Sequence, residues 1–521
     1  MKRYAWTILA ILVLVLPALA ACGPTPTPEK VIVRETVVSV QTAAPITVKE
    51  TVVVKETAVP SAFDSADKAV EEAKKYAGIT LNYVRESGLQ AQDPLTMGPI
   101  WEQLTGIKVN VVEMSYLDMY TNQLQDHLTG GGSYDVLDVS PFWMIDYINA
   151  GVMEPLNDYI AKYMNPADLD DYLPPYKAEG VMSFDGTYYG LFDDGDVFVQ
   201  YYRKDLFEDE TNKAEFKTKY GYDLVPPTTA KVLFDAAEFF TKKYAPDLYG
   251  FASQRLEGQA YSWFIGPYAA YGGYLWDPAT MKAQINGETG VKVLSELVQQ
   301  NTVAPPGVVK WGFMEILSAF MDGKLAMIIT WPPIGRWTAG YGDTAKQLSW
   351  VPPTKIAGKV GYMAQYGGRT NLAGNFNLAV SADSKHKEAA YLFAQWMTSP
   401  KISLQRVMLP FALRDPYRLT HYDSVMYRTA WPDAGAYLDD LKTSAMNGIY
   451  EPGIPGGREY MEALDKAITA AYAGTDVKAA LDDCAKRWDG ITNRLGLDSQ
   501  KAAYNKWLKN PWAQPGPTVK Y

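Results

Sequence analysis

Thiol and imidazole groups are scarce in this chain. Its 521 residues include two cysteines, Cys22 and Cys484, and three histidines, His127, His386 and His421. The histidines are far apart in the sequence, and two cysteines are too few for a metal–thiolate site. We therefore expect no metal ion and no cofactor, and a fold that depends on burial of its core rather than on disulfides.

The motifs of common hydrolases and nucleotide-binding proteins are also missing. The sequence has no Gly-x-Ser-x-Gly segment and no phosphate-binding glycine loop. It lacks an excess of basic residues as well, since its net charge at pH 7 is −10. An acidic surface is a poor match for nucleic acid or anionic lipid. We expect no nucleic-acid partner, and we predict no catalytic residue.

Tyrosine and tryptophan, in contrast, are abundant, with 36 and 14 residues. Their side chains combine an apolar ring face with a polar edge, and this combination suits a pocket that holds a polar molecule. Most of them are expected to fill the core, so composition alone does not locate such a pocket.

The N-terminal segment has the layout of a signal peptide. Two basic residues precede an apolar run at residues 8–16, which is too short to span a bilayer and is followed by small residues. The sequence LAAC at residues 19–22 resembles a bacterial lipobox, whose cysteine becomes the first mature residue and carries acyl chains. An ordinary signal peptide with an incidental cysteine is the alternative. We expect residues 1–21 to be removed, Cys22 to be lipidated, and the mature chain to be extracytoplasmic and anchored to the cell membrane.

Residues 22–62 are predicted to form an extended stalk. They open with alternating proline and threonine and then repeat a six-residue unit as VRETVV, VKETVV and VKETAV. The segment has no aromatic residue to anchor a core, and charges alternate with valines along it. Pairing of this β-prone repeat with itself is the alternative.

From residue 79 the pattern changes to alternating strands and helices. Apolar runs predict strands at 79–84, 107–114 and 134–139, each followed by a helical pattern, the first of which covers residues 95–104. Repeated strand–helix units predict a parallel sheet covered by helices, with ligands bound beyond the carboxyl ends of the strands. Further strands are predicted at 197–202 and 325–330, and the C-terminal region is mainly helical in pattern. The predicted fold class is therefore α/β.

Eight short segments between residues 78 and 500 carry a family resemblance. They are GIKVNVV at 106–112, YDVLDV at 134–139, AGVMEPL at 150–156, DGTYYG at 185–190, YYRKDLF at 201–207, PPTT at 226–229, GKLAM at 323–327 and HKEAAYLF at 386–393. Their order and spacing behind a lipobox resemble family 1 of the extracellular solute-binding proteins, which serve sugar ABC importers and include the maltose-binding protein.

The resemblance implies a two-lobe periplasmic-binding-protein fold of type II, in which each lobe is a mixed sheet flanked by helices. The implied lobes are 63–196 plus 340–398 and 197–339 plus 399–521, with crossings near Asp196, Ala339 and Ser399. It also implies that a mono- or oligosaccharide is captured in the cleft and presented to ABC permease subunits by hinge closure. We expect the protein to be a monomer.

A sugar-binding cleft needs carboxylates, amides and guanidinium groups for the hydroxyls, and aromatic rings for the apolar face of the sugar. By resemblance to the family, the candidate ligand contacts are Glu86, Ser140, Trp143, Asp194, Asp196, Tyr261, Trp263, Trp331, Asn375, Arg414, Arg458 and Tyr460. Each has a structural alternative: an exposed loop for the acids, packing for the aromatics, and ion pairing for the arginines.

Other ligands and other functions stay open at this stage. Pro332 and Pro333 stand where the aromatic wall of the maltose-binding protein would continue, so the sugar is not identified. The same fold can bind a polyol, a polyamine or another small solute. A surface-anchored glycoside hydrolase, which needs two carboxylates flanking the scissile bond, and a purely structural surface protein are the remaining alternatives.

Overall fold

The computed structural model describes residues 63–372 and 374–520. The predicted signal peptide, Cys22 and the stalk lie outside these residues, so the expectations about them stay predictions. In chain order, the strands are β1 Thr80–Glu86, β2 Lys108–Met114, β3 Val136–Val139, β4 Ser183–Phe184, β5 Thr187–Tyr188, β6 Leu191–Phe192, β7 Val199–Arg203, β8 Tyr249–Ala252, β9 Leu325–Thr330, β10 Val360–Met363, β11 Thr370–Asn371, β12 Asn377–Val380 and β13 Gly448–Ile449.

Helices surround the sheets and make up most of the C-terminal region. They are α1 Ser65–Ala73, α2 Leu89–Thr105, α3 Tyr116–Leu128, α4 Pro141–Ala150, α5 Asn157–Tyr163, α6 Ala167–Asp170, α7 Lys204–Glu208, α8 Glu210–Tyr220, α9 Ala230–Tyr244, α10 Tyr261–Ala270, α11 Glu288–Gln299, α12 Phe313–Met321, α13 Pro333–Thr338, α14 Lys387–Thr398, α15 Pro400–Met408, α16 Leu419–Asp423, α17 Val425–Arg428, α18 Ala434–Met446, α19 Gly457–Tyr472, α20 Val477–Leu495 and α21 Leu497–Trp507.

The first lobe is built on a five-stranded sheet with the strand order β2-β1-β3-β12-β6. β1 runs parallel to β2 and β3, with Thr80 opposite Lys108 and Tyr83 opposite Val136. β12 runs antiparallel to β3 and β6, so the sheet is mixed. β1, β2 and β3 confirm the three N-terminal strands expected from the apolar runs; β1 and β3 contribute buried residues, whereas β2, at the edge of the sheet, has only exposed and half-buried ones.

The second lobe is built on a four-stranded sheet with the strand order β10-β7-β9-β8. β7 is antiparallel to both of its neighbours, and β8 is parallel to β9. All six residues of β9 are buried, as its unbroken apolar sequence LAMIIT predicts. The two mixed sheets with flanking helices confirm the predicted two-lobe α/β fold.

The stretches that connect the lobes differ in part from the expected positions. Residues 193–198 join β6 to β7, and residues 364–376 join β10 to β12. The crossing predicted near Ala339 is wrong, because β10 still pairs with β7 in the second sheet. The crossing predicted near Ser399 stays a prediction. The error at Ala339 has a physical cause: partners distant in sequence decide which lobe a short segment joins.

Local signals set the ends of the helices around the first sheet. The Ser115 side chain accepts a hydrogen bond from the Asp118 amide at 3.3 Å and starts α3. Gly106 ends α2 in the left-handed region with φ 76°. α2 begins at Leu89, earlier than the expected residue 95, although its first turns carry Asp93 and Pro94. Asp93 is buried, so tertiary pairing holds a segment whose polar sequence resembles a loop.

The long helices α19, α20 and α21 confirm the helical C-terminal region. Cys484 lies on α20 with no exposed surface, and burial raises the pKa of its thiol, which fits an unreactive structural cysteine. Among the described residues, no helix is both long enough and apolar enough to cross a membrane.

Candidate ligand-binding site

A cavity of about 170 Å³ lies where the two sheets face each other across the crossing segments. It is reached by residues that follow β1 and β2 of the first sheet and β8 and β9 of the second. Its walls are formed by Glu86, Gln90, Tyr116, Asp196, Gln254, Gln259, Phe313, Trp331, Pro333, Gly374, Phe376 and Leu413. The carboxyl ends of parallel strands are where such folds bind ligands.

The first lobe contributes one carboxyl group and two aromatic rings. Glu86 is the last residue of β1, Tyr116 is the first residue of α3, and Phe376 immediately precedes β12. The rings of Tyr116 and Phe376 meet edge to face, with 6.2 Å between their centroids. These three side chains form one wall of the cavity.

The second lobe contributes amides and further aromatic rings. Gln254 lies just after β8, Trp331 just after β9, and Phe313 begins α12. The centroids of Phe313 and Trp331 are 6.5 Å apart. An apolar ring surface beside amide and carboxyl groups can hold a molecule that has both hydroxyl groups and carbon-bound hydrogens.

Gly374 brings the crossing segment close to the cavity floor. Its φ of +91° is in the left-handed region. A Cβ atom there would lie 2.4 Å from Asp196 Oδ2 and 3.2 Å from Trp331 Nε1. Glycine is therefore required both by its backbone conformation and by the space that the two side chains occupy.

The carboxyl groups of the cavity are held away from bulk water. Desolvation raises the pKa of Glu86 to about 7. It also raises the pKa of Asp196 well above its usual range, and the neighbouring Asp194 and Asp415 carboxyls add to this effect. Oxygens of the Asp194, Asp196 and Asp415 carboxyls lie within 4.8 Å of one another, and this proximity disfavours ionisation of all three at once.

Behind the cavity, arginine side chains pair with buried acids. Arg414 donates to Asp194, and Arg336 lies 3.5 Å from Asp415. One oxygen of each of Asp194, Asp196 and Asp415 lies within 4.8 Å of the others. Because two of these three acids already have a guanidinium partner, the cluster forms part of a buried ion-pair network.

The structure places Glu86, Asp196 and Trp331 on the cavity wall, as expected for ligand contacts. Asp194 and Arg414 are fully buried and pair with each other behind that wall. For Arg414 the structure therefore shows the structural alternative, an ion pair within the protein. Arg414 also donates to the Gln90 amide oxygen and so positions Gln90 at the wall.

Three predicted aromatic contacts lie one layer behind the wall. Trp143 packs on Tyr116 with 5.5 Å between centroids, and Trp263 packs on Trp331 with the same separation. The Trp263 indole N–H donates to the Ile329 carbonyl at 2.8 Å. Tyr261 is buried and in hydrogen-bond contact with the Tyr116 phenol.

The other four candidates are not among the residues that line the cavity. Ser140 is buried and precedes α4 as its N-cap residue. Asn375 is buried and donates to the Leu372 carbonyl at 2.6 Å. Arg458 donates to the Leu117 carbonyl at 2.7 Å, and Tyr460 packs on Trp276 in the core, 4.7 Å between centroids.

Several cavity residues were not among the candidates. Gln254 and Gln259 follow β8, whose four residues YGFA are too few for a periodic apolar pattern. Tyr116 had a usable signal, because it directly follows the capping Ser115 after a predicted strand. Gln90, Phe313, Phe376 and Leu413 had none, because only tertiary packing brings their segments together.

Comparison with known proteins identifies the family. A model of the bacterial extracellular solute-binding proteins matches residues 63–402. The chain belongs to this family. It is a family of binding proteins and not of enzymes, in agreement with the prediction that no residue is catalytic.

Among its relatives is a probable amino-acid ABC transporter periplasmic-binding protein of Sinorhizobium fredii, 25% identical over 64% of this chain and 72% of the relative. The erythritol/L-threitol-binding protein of Mycolicibacterium smegmatis is 24% identical over 79% of this chain and 86% of its own length. A solute-binding protein of Agrobacterium radiobacter in complex with ribitol superimposes with a TM-score of 0.65 at 23% identity, covering 80% of this chain and 99% of that one. That structural likeness supports the two-lobe fold.

Proposed function

We propose that this protein captures a small carbohydrate or polyol in the cavity between its lobes and presents it to the permease subunits of an ABC importer. The observation that carries the proposal is the composition of the cavity wall. It combines three glutamine amides and two carboxyl groups with the rings of Tyr116, Phe313, Trp331 and Phe376. Hydroxyl groups can exchange hydrogen bonds with the amides and donate to the carboxylates, while the rings cover the carbon skeleton.

The size of the cavity favours a single small molecule. Its volume of about 170 Å³ is below the range of about 300–1,000 Å³ that is usual for pockets of drug-sized ligands. A monosaccharide or a linear polyol suits this space better than an oligosaccharide. The relatives named for erythritol and L-threitol and the complex with ribitol support the same class of ligand.

Hinge closure is the proposed signal to the permease. The crossing segments 193–198 and 364–376 both border the cavity, so a ligand there contacts both lobes and the connection between them. A ligand that binds the closed state more tightly than the open state shifts the population toward closure. We further propose that the protein acts as a monomer outside the cytoplasmic membrane, to which the lipidated Cys22 anchors it.

Thermal unfolding of the full chain in mild detergent, with a panel of monosaccharides, pentitols, hexitols and disaccharides, tests this function. A ligand at 100 times its dissociation constant should add about 2.7 kcal/mol to the free energy of unfolding. Trp331→Ala should weaken binding of that ligand at least about 10-fold, since it removes an aromatic wall. The exposed Tyr274→Ala serves as the control and should leave affinity unchanged. A panel without any shift, or conversion of the added sugar to a product, would contradict the proposal.

A further inference from the structure

Among the described residues, the wall of the cavity has two carboxyl groups and no basic side chain beside them. Glu86 and Asp196 are its two acidic residues, and none of the described residues that line it is a lysine, arginine or histidine. Buried charges in proteins are normally paired, because an isolated one is costly in a low-dielectric environment. The missing partner is therefore expected to come from the ligand.

Glu86 has no hydrogen-bonded or ion-paired basic partner among the described residues, and only the charge of the neighbouring Arg85 acts on it from a distance. Within residues 63–372 and 374–520 its carboxyl group makes neither a hydrogen bond nor an ion pair. The neighbouring Arg85 points to the opposite face of β1, because side chains alternate along a strand. There the Arg85 guanidinium donates to Asp138 and, at 3.0 Å, to the Gln90 amide oxygen.

Asp196 also lacks an ion-paired basic partner, although arginines lie nearby. Arg414 is taken by Asp194, while Arg336 donates to the Val407 and Ala412 carbonyls at 3.0 and 2.9 Å. In the described part of the chain no basic group comes within ion-pair distance of Asp196. Its carboxyl instead meets another acid, Asp415.

The remaining walls suit a cation that also carries hydroxyl groups. The faces of Trp331 and the other three rings attract a positive charge through their quadrupoles. Gln254 and Gln259 offer amide groups that can exchange hydrogen bonds with hydroxyls. An ammonium group donates three hydrogen bonds and accepts none, which matches two carboxyl acceptors.

From this arrangement we infer that the ligand is a hydroxylated amine, an amino sugar or amino alcohol, whose ammonium group is held by Glu86 and Asp196. The inference rests on the proposed function, because it specifies the ligand of the same cavity. A neutral sugar would leave both acids without a counter-charge when the lobes close, whereas an ammonium group neutralises one and donates to both.

Matched ligand pairs test the charge and the function separately. Calorimetric titration of the full chain in mild detergent at pH 7 compares glucose with glucosamine, galactose with galactosamine, mannose with mannosamine, and glucitol with 1-amino-1-deoxyglucitol. The amine of at least one pair should bind about 10-fold or more tightly than its hydroxyl counterpart, the gain expected of a hydrogen-bonded charge pair. Equal or tighter binding of the neutral members would overturn the inference and leave the proposed function standing.

Two further outcomes of the same titration are decisive. If no member of any pair binds, the inference is overturned, and the wider panel of the thermal-unfolding test decides whether the proposed function stands. If putrescine, titrated alongside the pairs, is the one compound that binds, both are overturned, because that diamine has no hydroxyl group.

Glu86→Gln tests the assigned residue, since it keeps the shape of the side chain and removes its charge. We expect affinity for the preferred amine to fall about 10-fold or more and affinity for its neutral counterpart to fall much less, so that the preference collapses. Glu102→Gln, at an exposed position of α2, is the matched control and should leave both affinities unchanged. Equal losses for both ligands in Glu86→Gln would overturn the assignment, provided that the ligand-free variant unfolds at the wild-type temperature.

Discussion

At the scale of single residues, the environment of a carboxyl group decides what it does in this protein. Arg406 meets Asp93 and Asp193 in a buried network, whereas Glu86 faces the cavity without a partner. Glu86 was identifiable from the sequence because it ends an apolar strand. Arg414, in contrast, was predicted as a ligand contact, and its true partner Asp194 lies 220 residues away in the chain. No local pattern encodes such a pair.

The effect of the buried Asp440 carboxyl on the free energy of unfolding can be measured. Its Oδ2 atom has no hydrogen-bond partner, and desolvation raises its pKa to about 8. The folded state therefore keeps a proton that the unfolded chain loses near pH 4, and this residue lowers stability as the pH rises from about 4 to 8. We expect Asp440→Asn to be more stable than wild type by about 1–3 kcal/mol at pH 8.5, with a gain that shrinks toward pH 4.

The adjacent Asp439 provides a control for this measurement, because its carboxyl should stabilise the folded protein where that of Asp440 destabilises it. It accepts hydrogen bonds from Arg428 at 2.8 and 3.0 Å, and this pairing lowers its pKa. Its contribution is present above the usual aspartate pKa and is lost as the pH falls through the lowered value. Asp439→Asn should thus be destabilised at neutral pH. Thermal unfolding between pH 4 and pH 8.5 compares both variants, and a pH-independent effect of Asp440→Asn would contradict the assignment.

At the scale of elements, the apolar runs predicted the strands well, whereas an element that begins in a polar segment was predicted with the wrong end. β1, β2 and β9 follow from the apolar residues in their sequences, and β9, which is buried throughout, is continuously apolar. α2 starts six residues before its expected beginning at residue 95, because buried pairing compensates for Asp93 and Pro94 in its first turns. The connection around Gly374 has no regular pattern, yet it borders the cavity.

Gly374→Ala should lower ligand affinity, an effect that backbone strain alone would not cause. A left-handed conformation costs a non-glycine residue about 1–2 kcal/mol. The new methyl group would also press on Asp196 and Trp331. Gly340 has a similar φ of +81°, and no atom lies within 4 Å of the place that an alanine methyl group would take, so Gly340→Ala reports strain alone. We expect both variants to lose stability and only Gly374→Ala to lose ligand affinity, by calorimetric titration. Equal affinities would show that the segment does not border the bound ligand.

At the scale of the whole molecule, the cavity exists because the chain passes from one sheet to the other and back again. Residues on its wall come from segments as distant as Glu86 and Leu413. The same connections permit hinge motion, because only a few segments join two independently built sheets.

Ligand-driven closure predicts a change in overall dimensions. The radius of gyration from small-angle X-ray scattering should fall when a saturating ligand is added to the wild-type chain. Trp331→Ala, which is expected to bind weakly, should show no change at the same ligand concentration. A wild-type radius of gyration that stays constant at proven saturation would exclude hinge closure as the signal to the permease.

Membrane anchoring through Cys22 is a separate prediction about the whole molecule. Cys22→Ser removes the only residue of the LAAC sequence that can carry the thioether-linked acyl chain. In a bacterial host, we expect the wild-type chain in the membrane fraction and the variant in the soluble fraction after cell disruption. Cys484→Ser is the matched control, and membrane association of both variants would contradict lipidation at Cys22.

The sequence by itself determined the α/β class, the family, and the positions at strand ends that became Glu86 and Trp331 of the cavity wall. These depend on local apolar patterns and on the order of segments, and both are visible in the sequence. Only the tertiary structure decided which lobe β10 joins, which arginine neutralises which acid, and which amides complete the wall. Each of these depends on partners far apart in the chain, and a pairing energy between distant residues leaves no trace in the sequence around either one.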